Sequence, residues 1–182
     1  MKYFKKIIGE RLYLSPINMA DLEIYTKWLN DYEVSGNLGL HWLTLSLNSE
    51  QKALEQMTSE GPNFAIVLLD NDTLIGNISL NEIDQISRRA DVGLFIGEPE
   101  NRGKGYGAEA IRLIIEYGFQ TLNLHNIKLR VHADNPRGIA CYKKVGFREF
   151  GRRREAHFKN GRYTDVVYMD ILSTEFMKGD TP

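Results

Sequence analysis

Apolar and polar positions alternate, run together and then recur at helical spacing along this chain, and each change of period marks an element. Arg11 to Ser15 alternates, as a half-buried strand does. Asn18 is placed to cap a following helix, with Asp21 three residues on and Leu22, Tyr25, Leu29 and Tyr32 as its buried face. From Asp31 to Leu47 no period holds, and the segment reads as a long loop around Gly36, Gly39, His41 and Trp42 that could shape a pocket or simply cover the core. His41 has no metal-ligand partner at useful spacing. A short helix from Ser49 to Glu60 ends at Gly61-Pro62. Phe64 to Leu69 is a continuous apolar strand, and after a turn at Asn71-Asp72 the segment from Thr73 to Leu80 returns beside it.

The stretch from Ala90 to Phe147 has the clearest changes of period. Ala90 to Gly97 has strand length and is mostly apolar; Glu98-Pro99-Glu100-Asn101 connects it to Arg102-Gly103-Lys104-Gly105-Tyr106-Gly107. Ala110, Ile111, Ile114, Ile115, Gly118 and Phe119 then recur every three or four residues, which sets one apolar stripe on a helix lying over a sheet. Lys128 to Ala133 is a second strand. Asn135 can cap the next helix, Pro136 suits its first position, and Gly146 is a left-handed terminator. Beyond Phe147 come two strands joined at Asn160-Gly161, a pair that favours a type I′ hairpin. These elements predict an α/β chain (α+β in arrangement) with a mixed sheet, antiparallel first and parallel around the glycine loop.

Three alternating glycines before a helix bring several backbone N–H groups to one point, and the helix dipole adds to their attraction for an anion, usually a phosphate. Arg102 and Lys104 add positive charge. A Walker loop would end in Gly-Lys-Ser or Gly-Lys-Thr, which Gly103-Lys104-Gly105 does not. Gly103-x-Gly105-x-x-Ala108 fits the glycine spacing of a dinucleotide fingerprint, with Asp134 as its acid. Against that reading, the connector is too long, Asp134 comes late and no second mononucleotide half follows.

Composition narrows the partners. A chain of 182 residues with 42% apolar content is long enough for one domain with a full core, here about residues 10 to 172 of 1 to 182. A net charge of −1 gives no reason to expect nucleic acid, and Arg152-Arg153-Arg154 in a hairpin strand reads as a solvated sheet edge. Lys2, Lys5 and Lys6 lack the apolar stretch a signal peptide needs, and no run reaches membrane-spanning length. A lone cysteine, Cys141, rules out an internal disulfide and makes a cytoplasmic location the default. The last residues, Lys178 to Pro182, are expected to fray.

Arg102-x-x-Gly105-x-Gly107, between strand and helix, resembles the acyl-CoA loop of the GCN5-related (GNAT) N-acetyltransferases. The run from Asn135-Pro136 through Tyr142 to Gly146-Phe147 is similar to that family's second signature. Phe147-x-x-x-Gly151-Arg152, Phe158-Lys159-Asn160-Gly161 and the Asn81–Asp84 and Arg89–Asp91 segments look most like the branch that acetylates ribosomal-protein N-termini and spermidine. The resemblance implies the acyl-CoA N-acyltransferase fold with a splayed parallel strand pair, and acetyl-CoA as co-substrate without a metal. It also implies a primary-amine acceptor and direct transfer in a ternary complex; a homodimer through the final strands would fit it. Arg102, Gly103, Lys104, Gly105, Tyr106 and Gly107 would hold the cofactor. A backbone N–H of the strand with Phe95 and Ile96 would face the thioester carbonyl, and Asn135 the pantetheine amides. Tyr142 would protonate the departing thiolate.

An amine must lose a proton before it attacks, so a carboxylate is wanted nearby. Asp91 and Glu82 are the candidates, with Glu33 behind them; each could instead hold a cationic amine or pair with Arg88 or Arg89. Cys141 has no histidine placed to activate it and reads as a helix-packing residue. A non-catalytic acyl-CoA-binding sensor or scaffold would use the same loop, but it would have no need of a phenol at position 142.

Overall fold

The computed structural model describes residues 2 to 176; the expected fraying of the tail lies outside them. The chain divides into two compact units, the first drawn from the chain up to Ser79 and from Leu94–Leu113, the second from Leu80–Gly93 and from Ile114 onward.

In the first unit β1 (Ile7–Ile8), β2 (Leu12–Pro16), β3 (Asn63–Leu68) and the first part of β4 (Leu74–Asp84) are successive antiparallel neighbours. Leu12 pairs with Leu68 and Asn63 with Ser79, with a bulge between Ile66 and Val67. The end of β5 (Arg89–Ile96) lies beside β4 here, and Gly97 N–H donates to the Ile75 carbonyl at 2.9 Å. A 3-10 turn, Met19–Asp21, leads into α1 (Leu22–Asn30). Asn18 caps the turn through Ala20 N–H, as its residue type predicts. Asp21 instead turns inward to accept from the Tyr3 hydroxyl at 3.0 Å.

The helix differs from expectation in the face it buries. Tyr25 and Trp28 are buried, while Leu29 is only half-buried and Tyr32 is exposed, because Asp31 leaves helical geometry (ψ 123°) and α1 ends before Tyr32. The expected long loop is also partly helical. The Asp31 carboxylate caps α2 (Tyr32–Leu38) by accepting from Glu33 N–H at 2.7 Å, and Gly39, at φ +74°, closes it. α3 (Leu47–Ser59) begins two residues earlier than predicted, where Ser46 and Ser49 form a capping box. Tyr25, Trp28, Leu54, Ala65 and Val67 pack in this unit's core with Phe95 against them.

In the second unit β5 runs parallel to β6 (Asn126–His132), with registers from Arg89↔Asn126 to Asp91↔Lys128. Within this unit the ladder runs over three register pairs. β6 pairs antiparallel with β8 (Arg162–Leu172), and β8 with β7 (Arg148–Lys159). Asn160 and Gly161, at φ +53° and +74°, make the predicted hairpin turn. α4 (Tyr106–Gln120), whose residues up to Leu113 belong to the first unit, buries the stripe read from sequence: Ala110, Ile111, Ile114 and Ile115 are fully covered. α5 (Pro136–Val145) starts at an Asn135 cap and ends at Gly146, φ +115°, as its sequence requires. α6 (Ser173–Phe176) follows β8. The sheet is mixed and mostly antiparallel.

Candidate functional site

The glycine loop belongs to the first unit, and its backbone has the form an anion cradle needs. Gly103 and Gly105 sit at φ +74° and +86°, where a side chain would be strained, and α4 begins at Tyr106. Gly103, Lys104 and Gly105 are exposed.

Arg102 makes three contacts within the protein. Its Nε donates to the Ile96 carbonyl at 3.2 Å, its Nη2 to the Gly97 carbonyl, and its Nη1 lies 2.9 Å from Glu33 Oε2. The guanidinium thus braces the loop against the end of β5, and the positive charge expected of it is already matched by Glu33. That pairing also accounts for Glu33, which was a reserve candidate for the base.

The end of β5 is shaped by a close approach. A Cβ on Gly76 would lie 2.1 Å from the Phe95 carbonyl oxygen, so only glycine lets that oxygen stand over β4. Because a peptide unit is planar and trans, the Ile96 N–H points the opposite way, away from Gly76. The Ile96 carbonyl, on the same side as its N–H, is taken by Arg102. Phe95 is fixed by edge-on contacts with Tyr25 and Trp28, at 6.3 and 6.1 Å between ring centroids.

The second unit carries the remaining sequence candidates. Asn135 Oδ1 accepts from Gly138 N–H at 2.9 Å, so its cap is confirmed. Tyr142, about two turns further along α5, is half-buried with its ring edge-on to Phe147 at 6.0 Å. Burial pushes its phenol well above the ordinary tyrosine range, and Cys141 adds to the shift, so the hydroxyl keeps its proton at neutral pH. Burial likewise raises the Cys141 thiol, which leaves it a poor nucleophile, as expected of a packing residue.

Of the two proposed bases, Asp91 is largely buried and its Oδ1 lies 3.1 Å from Lys128 Nζ, its register partner. The partner is therefore neither Arg88 nor Arg89; Arg89 pairs with Asp84 at 3.3 Å and Arg88 donates to Asn123. Glu82 is exposed and sits at φ +50°, an unusual backbone for a residue with a side chain.

Two residues escaped the sequence reading. Arg11 donates to Glu109 and to the Lys104 carbonyl, contacts that no local pattern could announce across 98 and 93 positions. Glu50 is 4% exposed in the first turn of α3, and burial alone pushes its carboxyl up to about 7. A signal for it was present: Glu50 stands three residues after Leu47 and four before Leu54, on the apolar stripe itself.

Among the described residues no group of three or more His, Cys, Asp and Glu side chains could hold a metal, and no helix is long and apolar enough to cross a membrane.

Residues 11–148 match the family model described as an acetyltransferase (GNAT) domain. The uncharacterized N-acetyltransferase p20 of Bacillus licheniformis is 29% identical over 171 residues, spanning 92% of this chain and 96% of that protein. A spermidine N(1)-acetyltransferase of Vibrio cholerae is 41% identical over 104 residues, 57% of this chain and 60% of that one. A crystal structure of spermidine N-acetyltransferase from Vibrio cholerae, in complex with CoA and spermine, superposes with a TM-score of 0.81 at 30% identity, covering 92% of this chain and 98% of that one. With a family model covering most of its length, the chain belongs to the GNAT family of N-acetyltransferases, enzymes that use acetyl-CoA.

Proposed function

We propose that this chain transfers the acetyl group of acetyl-CoA directly to a cationic primary amine, a polyamine or a peptide N-terminus, in a ternary complex. The observation that carries the reading is the pairing, within one unit, of an exposed left-handed glycine loop at the start of α4 with a strand amide, Ile96 N–H, turned away from β4. The amides of Gly103 to Gly107 hold the diphosphate, with Lys104 beside them. Ile96 N–H donates to the thioester oxygen, which gains charge as the amine attacks; a donor fixed before reaction lowers the barrier most effectively. Asn135 hydrogen-bonds the pantetheine amides.

Tyr142 gives its proton to the departing sulfur. Burial keeps the phenol protonated at neutral pH but raises it further above a thiol, near pKa ~8.5, so the transfer runs uphill and takes place in concert with cleavage of the C–S bond, as charge builds on the departing sulfur. Asp91 and Glu82 are the carboxylates assigned to the incoming ammonium and its proton. The acceptor class is supported by the spermine-bound relative of known structure and by these acids.

The test is a thiol-release assay with acetyl-CoA and a panel of amines, spermidine beside peptides of varied first residue. CoA released only when an amine is present supports transfer; tight CoA binding with no release by any amine would make this chain an acyl-CoA-binding module. Tyr142→Phe should lower kcat at least tenfold; full turnover removes Tyr142 as the acid. Asp91→Asn and Glu82→Gln, assayed the same way, identify the base by loss of the acidic limb of the pH profile.

A further inference from the structure

Arg11 stands just before β2, far in sequence from the glycine loop, yet three of its groups fasten on the loop and its helix. Its backbone N–H donates to Glu109 Oε1 at 2.8 Å and its Nε to Glu109 Oε2 at 2.9 Å, so one carboxylate holds both ends of the residue. Its Nη1 donates to the Lys104 carbonyl at 2.9 Å, and the guanidinium lies 4.9 Å from the centre of the Tyr106 ring. A Cβ on Gly105 would come within 3.3 Å of Nη2. Glu109 is itself tied to the loop, because its N–H donates to the Gly105 carbonyl at 3.1 Å.

The consequence lies in the peptide between Lys104 and Gly105. Its C=O and N–H point in opposite directions, so an oxygen held by Arg11 aims Gly105 N–H away from Arg11. Gly105 has no side chain to prevent that peptide from turning over. If it turned, an oxygen would replace an N–H facing the anion, and attraction would become repulsion.

We propose that Arg11 is a positioning residue for the diphosphate of acetyl-CoA: through the Lys104 carbonyl it keeps Gly105 N–H directed at the ligand. Glu109 is its anchor. The inference rests on the acetyl-CoA reading of the loop.

The experiment compares acetyl-CoA with S-acetylpantetheine, which keeps the thioester and lacks the diphosphate. Arg11→Ala should raise the Kd for CoA and the KM for acetyl-CoA about tenfold, the worth of one hydrogen bond to an ionised group. The preference for acetyl-CoA over S-acetylpantetheine, as a ratio of kcat/KM values, should fall by the same factor. Arg11→Lys should recover part of that ratio. Should Arg11→Ala not fold, Glu109→Gln, which loosens the anchor, should move the ratio in the same direction by a smaller factor. A ratio unchanged in either variant overturns the inference, even if both thioesters react more slowly, because that is the mark of a general structural role. A wild-type protein that binds no CoA would instead defeat the reading on which it rests.

Discussion

Replacing Glu50 with glutamine should make the protein more stable at alkaline pH and leave its acid stability nearly the same. The side chain is 4% exposed, and burial lifts its carboxyl from 4.5 to about 7. Below about pH 4.5 the group is protonated in the folded and unfolded states alike, so it adds no pH dependence. Between 4.5 and 7 the unfolded chain gives up that proton while the folded chain keeps it, and stability falls as the pH rises. Above 7 the whole penalty is present: at about 1.4 kcal/mol per pH unit, the interval amounts to roughly 3 kcal/mol. Glutamine has similar size and no charge to bury, so Glu50→Gln escapes the penalty. For a chain of this length roughly 3 kcal/mol corresponds to about 6–12 °C in Tm. Thermal unfolding of both proteins from pH 4.5 to 8.5 provides the assay, and the quantity to plot is the difference in Tm. It should be smallest at the acid end and grow through pH 5 to 7. A difference that stays constant over this range would refute the reasoning, since it would mean the carboxyl titrates alike folded and unfolded.

Other outcomes follow from the glycine loop and its neighbours. Gly105→Ala puts a side chain at φ +86°, where about 1–2 kcal/mol of strain is expected, and should weaken CoA binding about tenfold or more in calorimetry. Gly76→Ala places a methyl where the Phe95 oxygen now stands; β5 must shift, so kcat should fall and denaturant titration should register a loss of about 1–3 kcal/mol. Breaking the Asp91–Lys128 pair with Lys128→Met leaves a largely buried carboxylate without its cation, which should lower stability by about 1–2 kcal/mol in a denaturant titration.

Signals confined to a few residues were legible in the sequence. Asn135, Pro136 and Gly146 bound α5, Asn160-Gly161 makes its hairpin, and the stripe from Ala110 to Phe119 is buried, because caps, turns and periodicity act over one or two turns of chain. The glycines of the loop were equally plain. What the sequence did not disclose depends on partners brought together by folding. Arg102 was legible as a cation beside the loop, but its contacts with Glu33 and with the carbonyls of Ile96 and Gly97 were not. Asp91, a candidate base with an arginine as one alternative partner, is set by parallel register against Lys128. α2 was hidden because Gly36 disfavours a helix, and the Asp31 cap and tertiary packing outweigh so weak a preference.

The central claim is that backbone amides opening α4 grip the diphosphate of an acyl-CoA. Calorimetric titration of the wild-type protein with CoA, and in parallel with pantetheine, tests it most directly. The account predicts saturable binding of CoA and an affinity for pantetheine lower by two orders of magnitude or about that. Equal affinity for the two ligands, or no heat on adding CoA, would contradict it.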